Sequence, residues 1–189
     1  MRKAGYIAIF VAATIVFLAA SLHPPLSSQG PAGSGQSQLA YAVAAAANTT
    51  IEWLQCYEGI NEDEAIGKFD ESLQRLCVEL KAKAARVDWE LLKSQLYCQR
   101  FLQCWTASSR TAIRKSLVCL LIDELDKVDH AFETMQLELQ SVWQLSISKL
   151  GTLQPKSIPF VVLTSNEKRR IGDPLRRRSF YLRVEGSAV

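Results

Sequence analysis

Residues 117–127 read LVCLLIDELDK, a continuous apolar run that ends in two adjacent acids. The run from Leu117 to Ile122 has the length of a strand buried on both faces, as in parallel sheets. Asp123 and Glu124 then lie at the predicted carboxyl end of that strand, where ligands bind in open α/β sheets. By themselves, the two acids fit the start of a solvated turn equally well, so the choice between a ligand site and a turn depends on other segments of the sequence.

A glycine-rich stretch, GPAGSGQS at 30–37, lies upstream. Its glycines have the spacing of a phosphate-binding loop, and Ser37 stands where that loop places a hydroxyl. Such a loop binds an anion through backbone N–H groups at the start of a helix. Gln36 stands where a lysine is expected, and a small-residue linker is the alternative. The predicted nucleotide-binding residues are Gly30, Pro31, Ala32, Gly33, Ser34, Gly35, Gln36 and Ser37.

The loop and the acidic strand together predict a site for ATP and Mg²⁺. Mg·ATP chemistry needs one carboxylate for the metal and another to orient and deprotonate a water molecule. A second buried strand, Phe160 to Leu163, delivers Thr164, Ser165 and Asn166 to the same sheet edge. The amide of Asn166 could position that water or contact the terminal phosphate.

An arginine-bearing segment, DPLRRRSFYLRV, follows at 173–184. An arginine offered to a neighbouring subunit's nucleotide can stabilise charge on the transferring phosphoryl group. Three consecutive arginines also fit a solvated patch or a nucleic-acid contact. No aromatic stacking residues are interleaved with them, so nucleic-acid binding is not expected.

The remaining segments alternate between strand and helix patterns, which predicts an α/β domain with a mainly parallel sheet. We expect helices over 36–47, from Asn61 to about Lys83, over 88–103 and over 130–143, with a capping box at Asn61 and Glu64. Strands are expected at 23–29 and 50–56, and a hairpin at 144–153.

The N-terminal run at 6–22, YIAIFVAATIVFLAASL, has two interpretations. Arg2 and Lys3 precede it, as in a secretory signal or a membrane anchor. The alternative is a buried helix that packs on the sheet of a cytoplasmic domain. Only seven residues separate Leu22 from Gly30, enough for one strand leading into the loop.

The amino-acid composition limits the class of protein but does not identify a function. Apolar residues make up 48% and charged residues 22% of the 189 residues, with a net charge of +3, as in ordinary globular domains. The five cysteines form no C-x-x-C pair, so neither a zinc site nor a disulfide framework is expected, and buried thiols are the simpler interpretation.

The order and spacing of these motifs resemble the AAA+ ATPases. The phrases LQCYEGI, LLIDELDKVDHAFE, LSISKLGT, PFVVLTSN and DPLRRRSFYL are similar to the MoxR branch of that group. The similarity covers about residues 5–185 and favours the helix at the N-terminus. It implies a P-loop NTPase (AAA+) core of three layers with a helical insertion, over 1–189 as a single domain. Its parts are the leading helix and first strand at 5–29, the helical segment at 57–116, and the acidic-strand, sensor and arginine segments at 117–185.

The resemblance also implies roles for the site residues. Gly30 to Ser37 match the phosphate loop, with Ser37 toward Mg²⁺. Asp123 matches the metal-linked carboxylate, and Glu124 matches the catalytic base. Asn166 matches the sensor of the terminal phosphate, and Arg177 or Arg178 the arginine offered across a subunit interface. Such proteins assemble into rings and use ATP to remodel or activate partner proteins.

Three departures from that pattern predict weak hydrolysis. Gln36 replaces the lysine, the strand before the loop reads Leu26-Ser27-Ser28-Gln29 and is expected to be poorly buried, and the sequence ends at Val189, before the helical lid. A lost charge-assisted hydrogen bond of about 1.5–3 kcal/mol weakens affinity about ten- to a hundredfold. The alternative functions are a non-catalytic adaptor subunit of an AAA+ ring, or a membrane-anchored or secreted protein that uses residues 6–22.

Overall fold

The secondary structure alternates between strands and helices. The computed structural model of the protein describes residues 10–60, 118–142, 145–147, 151–153 and 157–185, with five isolated positions between 65 and 79. In chain order the helices and strands are α1 (Phe10–Leu22), β1 (Leu26–Gln29), α2 (Gln36–Ala46), β2 (Thr50–Gln55), β3 (Val118–Asp123), a 3₁₀ turn (Leu125–Lys127), α3 (His130–Val142), β4 (Leu145–Ile147), β5 (Gly151–Leu153), β6 (Phe160–Ser165), α4 (Asp173–Arg177) and β7 (Phe180–Arg183).

Five parallel strands form the central sheet, in the order β2-β3-β6-β1-β7. The strands end level with one another: Gln29 pairs with Ser165, and Gln55 pairs with Asp123. β4 and β5 form a separate antiparallel hairpin. The predicted α/β class with a mainly parallel sheet is confirmed, and the segments that follow β1, β2, β3 and β6 leave the sheet at one edge.

Helices cover both faces of the sheet, which gives three layers. On one face, α1 and α2 pack through Val16, Ala19 and Leu39 against β1 and β7, and small α2 residues meet Leu121 and Val162. On the other face, Phe132 of α3 and Leu175 of α4 join a core cluster with strand residues. Every strand of the sheet except the two edges is therefore enclosed, as the apolar composition of β3 and β6 requires.

The strand β1 corrects one expectation from the sequence. Its polar residues predicted poor burial, yet Leu26, Ser27 and Ser28 are all buried. β1 lies between β6 and β7, so its backbone is hydrogen-bonded on both sides, and serine is small enough to fit beneath the helices. The polar composition of β1 instead leaves one buried group unsatisfied, because the Ser28 hydroxyl has no hydrogen-bond partner among the described residues.

Helix α1 packs on the sheet by one side only, where Val16 and Ala19 are buried. Phe10, Phe17 and Leu22 remain 84%, 68% and 63% exposed, so the expectation of a buried helix holds for one face. No helix among the described residues is long and apolar enough to span a bilayer. The α1–α2 layer is uncharged throughout, because no Asp, Glu, Lys or Arg occurs between Lys3 and Glu52.

Other predicted elements lie close to their expected bounds. α2, β2, β3, α3, the hairpin and β6 are each confirmed within about two residues. The first predicted strand begins later than expected, at Leu26, after His23 in a left-handed conformation with φ 67° and two prolines that have no N–H to donate. The helices predicted between Asn61 and Gln103, with their capping box, fall almost entirely outside the described residues. The edge strand β7 and the short helix α4 were not predicted.

Candidate functional site

A cavity of about 410 Å³ opens at the carboxyl edge of the sheet. The segments that follow β1, β3 and β6 all contribute to its wall, together with the end of β2. Its lining residues are Ala32, Gly33, Ser34, Gly35, Gln36, Ser37, Gln38, Gln55, Asp123, Glu124, Thr164 and Asn166. The structure thus brings most of the residues predicted from three separate motifs into one cavity.

The glycine loop connects β1 to α2 and owes its shape to its glycines. Gly33 and Gly35 have φ values of 82° and 91°, in the left-handed region that other residues rarely adopt. Gly30 is required for a different reason, because a Cβ atom there would lie 2.1 Å from the carbonyl oxygen of Val184. The loop ends at the start of α2, where the first amide N–H groups of a helix have no acceptor within it.

The Gln36 side chain is buried and bonded to the protein at both ends. Its Nε2 atom donates to the carbonyl oxygen of Gly30 at 2.7 Å and to the Ser34 hydroxyl at 3.3 Å. Its Oε1 atom accepts from the backbone N–H of Ser165 at 3.2 Å. Gln36 therefore joins the loop to the end of β6.

Ser37 and Asp123 meet on the α2 side of the cavity. The Ser37 hydroxyl donates to Asp123 Oδ1 at 3.0 Å, and the Thr164 hydroxyl donates to the same oxygen. Trp53 Nε1 donates to the second carboxylate oxygen at 3.3 Å. Three neighbouring elements thus fix the orientation of this carboxylate, next to a hydroxyl that can share a cation with it.

Glu124 follows Asp123 in a left-handed conformation, with φ 59°. Its backbone N–H donates to Thr164 Oγ1 at 2.9 Å, which turns the chain at the end of β3. Its carboxylate accepts from Lys127 Nζ at 2.6 Å and from Gln55 Nε2 at 3.4 Å. The hydrogen bond from Lys127, more than any other contact, holds the pKa of Glu124 below its ordinary value.

Asn166 faces Glu124 from the segment after β6. Its Nδ2 atom lies 3.5 Å from Glu124 Oε1, a long hydrogen bond. The buried Asp126 carboxylate fixes the turn, because it accepts from the backbone N–H groups of Asn166 and Lys168 at 3.1 and 3.2 Å. Asp126 thus positions Asn166 over the cavity.

The arginines of α4 lie outside this cavity. Arg177 borders a separate cleft of about 240 Å³ with Ser27, Arg176 and Tyr181, and Arg178 is exposed at the end of α4. Asp173 also lines that cleft and lies 3.9 Å from Arg176. Within a single chain, therefore, the structure does not bring Arg177 or Arg178 to the other predicted site residues.

A buried carboxylate links α3 to the segment that leads into α4. Glu133 pairs with Arg169 and accepts from the backbone N–H of Gly172 at 2.8 Å. A Cβ atom on Gly172 would lie 2.5 Å from Glu133 Oε2, so a larger residue there would require the Glu133 carboxylate to move. The contact fixes the start of α4 and, with it, the place of the arginines.

The described cysteines do not take part in the site. Cys56 and Cys119 are buried free thiols. Burial raises the pKa of each to about 12, and the Asp123, Glu124 and Asp126 carboxylates add to the effect at Cys56. Both thiols stay protonated, so neither is a nucleophile. Cys77, Cys98 and Cys104 lie outside the described residues.

The sequence matches no protein-family model and no curated protein. Solved structures do match the fold. A candidate ATPase from Cytophaga hutchinsonii superposes over 95% of this chain and 46% of its own, with 12% identity and a TM-score of 0.57. The Holliday junction branch migration motor RuvB of Thermotoga maritima matches 92% of this chain and 42% of its own, with 15% identity and a TM-score of 0.48.

The chain has the AAA+ P-loop NTPase fold. It spans less than half the length of the solved proteins that it matches. At this level of identity the likeness concerns the fold and leaves the activity to be inferred from the site.

The site of this AAA+ fold has the size and the donor atoms for a nucleotide with magnesium. Its volume falls in the range of small-molecule sites, about 300–1,000 Å³. Mg²⁺ binds oxygen ligands and is usually held by one or two protein groups together with substrate phosphates. Ser37 and Asp123 supply such a pair, while no cluster of three or more metal-binding side chains occurs in the part of the chain that is described.

Several contacts at the site were missed at the sequence level. Gln55 and Trp53 reach the acidic pair from β2, Lys127 pairs with Glu124, and Asp126 holds the turn before Asn166. The level ends of parallel strands could have identified Gln55, since its partner in register is Asp123. Nothing in the sequence pattern distinguishes the role of Asp126 from that of its acidic neighbours.

Proposed function

We propose that this chain is an ATP-binding AAA+ module of MoxR type, which couples ATP binding to the remodelling or activation of partner proteins. The observation that carries ATP binding is the convergence of the glycine loop, Ser37, Asp123, Glu124 and Asn166 on one cavity. The MoxR assignment and the protein substrates rest on the resemblance of the sequence phrases.

In this proposal the loop from Gly30 to Ser37 binds the phosphates through its backbone N–H groups. Ser37 and Asp123 hold Mg²⁺, which supplies positive charge at the phosphates when bound. Glu124 orients and deprotonates the attacking water, and Asn166 senses the terminal phosphate. Arg177 or Arg178 is offered to the nucleotide of a neighbouring copy, since both are exposed and neither lines the chain's own cavity.

We propose that hydrolysis is slow. Gln36 carries no charge, and its amide is bonded to Gly30 and Ser165. The charge that a lysine would add at the shifting phosphate in the transition state is therefore missing. Glu124 is also paired with Lys127, which makes its carboxylate a weaker base.

Titration of the purified protein with a fluorescent ATP analogue and Mg²⁺ tests the binding claim. We expect saturable binding, weaker than in loops that contain a lysine, and its loss in Ser37→Ala combined with Asp123→Ala. Tyr41→Ala is a suitable control, because Tyr41 lies on the exposed side of α2. Absence of saturable binding at millimolar nucleotide would contradict the proposal.

The exposed arginines favour one alternative function, that of a non-catalytic adaptor subunit in a ring of intact AAA+ proteins. Such a subunit would offer Arg177 or Arg178 to a neighbour while binding nucleotide weakly itself. Co-purification with an intact AAA+ protein, and loss of that partner's ATPase activity with Arg177→Ala plus Arg178→Ala, would distinguish this role. A partner whose activity is unchanged by the double substitution would contradict it.

A further inference from the structure

The charge on the cavity wall is negative. Among the described residues, the lining includes two carboxylates, Asp123 and Glu124, and no lysine, arginine or histidine. The described wall would therefore repel the phosphate groups of a nucleotide through its carboxylates and attract them through backbone N–H dipoles alone. Charges that are close together and partly buried interact strongly, because little solvent lies between them.

Gln36 does not compensate for this charge. Only 6% of the residue is exposed, and both ends of its amide are bonded to the loop and to β6. If the side chain turned toward a phosphate, the Gly30 carbonyl and the Ser165 N–H would lose their partner. Gln36 is therefore a structural link of the loop rather than a ligand of the anion.

Lys127, which is paired with Glu124, does not compensate for the negative charge of the cavity wall either. Lys127 lies behind Glu124, and its Nζ atom is 2.6 Å from Glu124 Oε2. It neutralises one of the two carboxylates without lining the cavity. Within the described part of the chain, the hydrogen bonds to the Asp123 carboxylate come from the neutral groups of Ser37, Thr164 and Trp53, and no positively charged group pairs with it.

From this arrangement we infer that the site binds a nucleoside di- or triphosphate only together with a divalent cation, an inference that rests on the proposed ATP-binding function. A lysine in the loop would allow nucleotide binding without metal, because it supplies a fixed positive charge. None of the described residues that line the cavity supplies such a charge, so we expect it to arrive with the nucleotide. Ser37 and Asp123 are the pair of oxygen donors that would receive it.

Removal of the metal then has a large and specific effect on affinity. We expect the dissociation constant of the wild-type protein to rise at least about a hundredfold when Mg²⁺ is replaced by a chelator. Gln36→Lys should restore metal-free binding and reduce this ratio to about tenfold or less. Asp123→Asn should also reduce the ratio. It weakens binding with Mg²⁺ because it weakens the metal site, and it strengthens binding in EDTA because it removes the unpaired negative charge.

The experiment measures fluorescence anisotropy of methylanthraniloyl-ADP and methylanthraniloyl-ATP, each with excess Mg²⁺ and with EDTA. It compares the wild-type protein with Gln36→Lys, Asp123→Asn and Tyr41→Lys. The last variant adds the same charge on α2 at a position outside the cavity, and its ratio should equal that of the wild-type protein. Circular dichroism checks that each variant folds. If Gln36→Lys does not fold, the Asp123→Asn variant still tests the inference.

The outcomes separate this inference from the proposed function. Equal affinity with Mg²⁺ and with EDTA in the wild-type protein would overturn the inference and leave nucleotide binding intact. Binding under neither condition would overturn both. An equal reduction of the ratio by Tyr41→Lys would show that net charge, and not the place of the lysine, controls metal dependence, and would also overturn the inference.

Discussion

The side-chain amide of Gln36 donates to the carbonyl oxygen of Gly30 at 2.7 Å, across the loop that both residues belong to. The same amide accepts from the N–H of Ser165 at 3.2 Å, so one buried side chain holds the loop closed and attaches it to the neighbouring strand. A residue at the expected position of a charged ligand thus serves the stability of the loop.

Loss of the Gln36 amide should destabilise the fold. Gln36→Ala leaves the Gly30 carbonyl and the Ser165 N–H without their partner, and an unsatisfied buried polar group lowers the free energy of unfolding by about 1–3 kcal/mol. Urea unfolding followed by circular dichroism measures the difference. Gln38→Ala, at an exposed position on the same helix, should change it by less than about 0.5 kcal/mol. Equal effects of the two substitutions would show that the Gln36 contacts do not stabilise the protein.

Introduction of a lysine into the loop should increase turnover. Gln36→Lys restores a positive charge at the phosphates, and we expect phosphate release from ATP to rise about ten- to a hundredfold. Glu124→Gln in the Gln36→Lys background should then abolish the gain, because it removes the proposed base. A coupled assay for released phosphate measures both. Turnover that stays the same in both variants would mean that the roles assigned to Gln36 and Glu124 are wrong.

The pairing of Glu124 with Lys127 predicts a pH dependence. Because the pKa of Glu124 is lowered in the folded state, the pairing stabilises the protein above the unfolded-state pKa of this residue. That contribution is lost as the pH falls through the folded-state pKa. We expect Lys127→Met to raise the pKa of Glu124, as measured by carbon NMR of its carboxyl group.

The same substitution should reduce stability at neutral pH, and the difference from the wild-type protein should vanish in acid. Lys168→Met is the control, since Lys168 affects Glu124 only through a weaker electrostatic contribution. A Glu124 titration curve that is identical in the wild-type protein and in Lys127→Met would exclude the pairing in solution.

The unpartnered hydroxyl of Ser28 predicts a stabilising substitution. Ser28 is fully buried in β1, and its Oγ atom has no hydrogen-bond partner in the described part of the chain. Ser28→Ala removes the unsatisfied group and should raise the free energy of unfolding by about 1 kcal/mol. Ser27→Ala is the matched comparison, because Ser27 Oγ accepts from Gln29 Nε2 at 3.2 Å and its removal should bring no gain. A greater loss of stability with Ser28→Ala than with Ser27→Ala would contradict the prediction.

The sequence predicts the strands and the site because their patterns are local. The apolar runs before Asp123 and before Thr164 identify two buried strands, and parallel strands place their following residues at one edge. The edge strand β7 escapes prediction because it is short and follows three arginines; the alternation of Phe180 and Leu182 with Tyr181 and Arg183 is its only signal.

What the sequence does not predict depends on tertiary contacts. Glutamine at position 36 indicates only a missing charge, whereas its bonds to Gly30 and Ser165 require β1 and β6 to be neighbours. The burial of Ser27 and Ser28 likewise follows from the central place of β1 in the sheet, against their own polarity. The close approach of Gly172 to the Glu133 carboxylate is similar, since it depends on the packing of α3 against the segment before α4.

The uncharged α1–α2 layer has a practical consequence for peptide mapping. Trypsin cleaves after lysine and arginine, and none occurs between Lys3 and Lys68. A complete tryptic digest therefore leaves α1, β1, the glycine loop, α2 and β2 in one long peptide, 4–68. Covalent labels on Tyr41 of α2 and on Trp53 of β2 would be read in the same fragment. Chymotrypsin or pepsin, which cut at the aromatic and aliphatic residues of this layer, are the proteases that separate the loop from its surrounding elements.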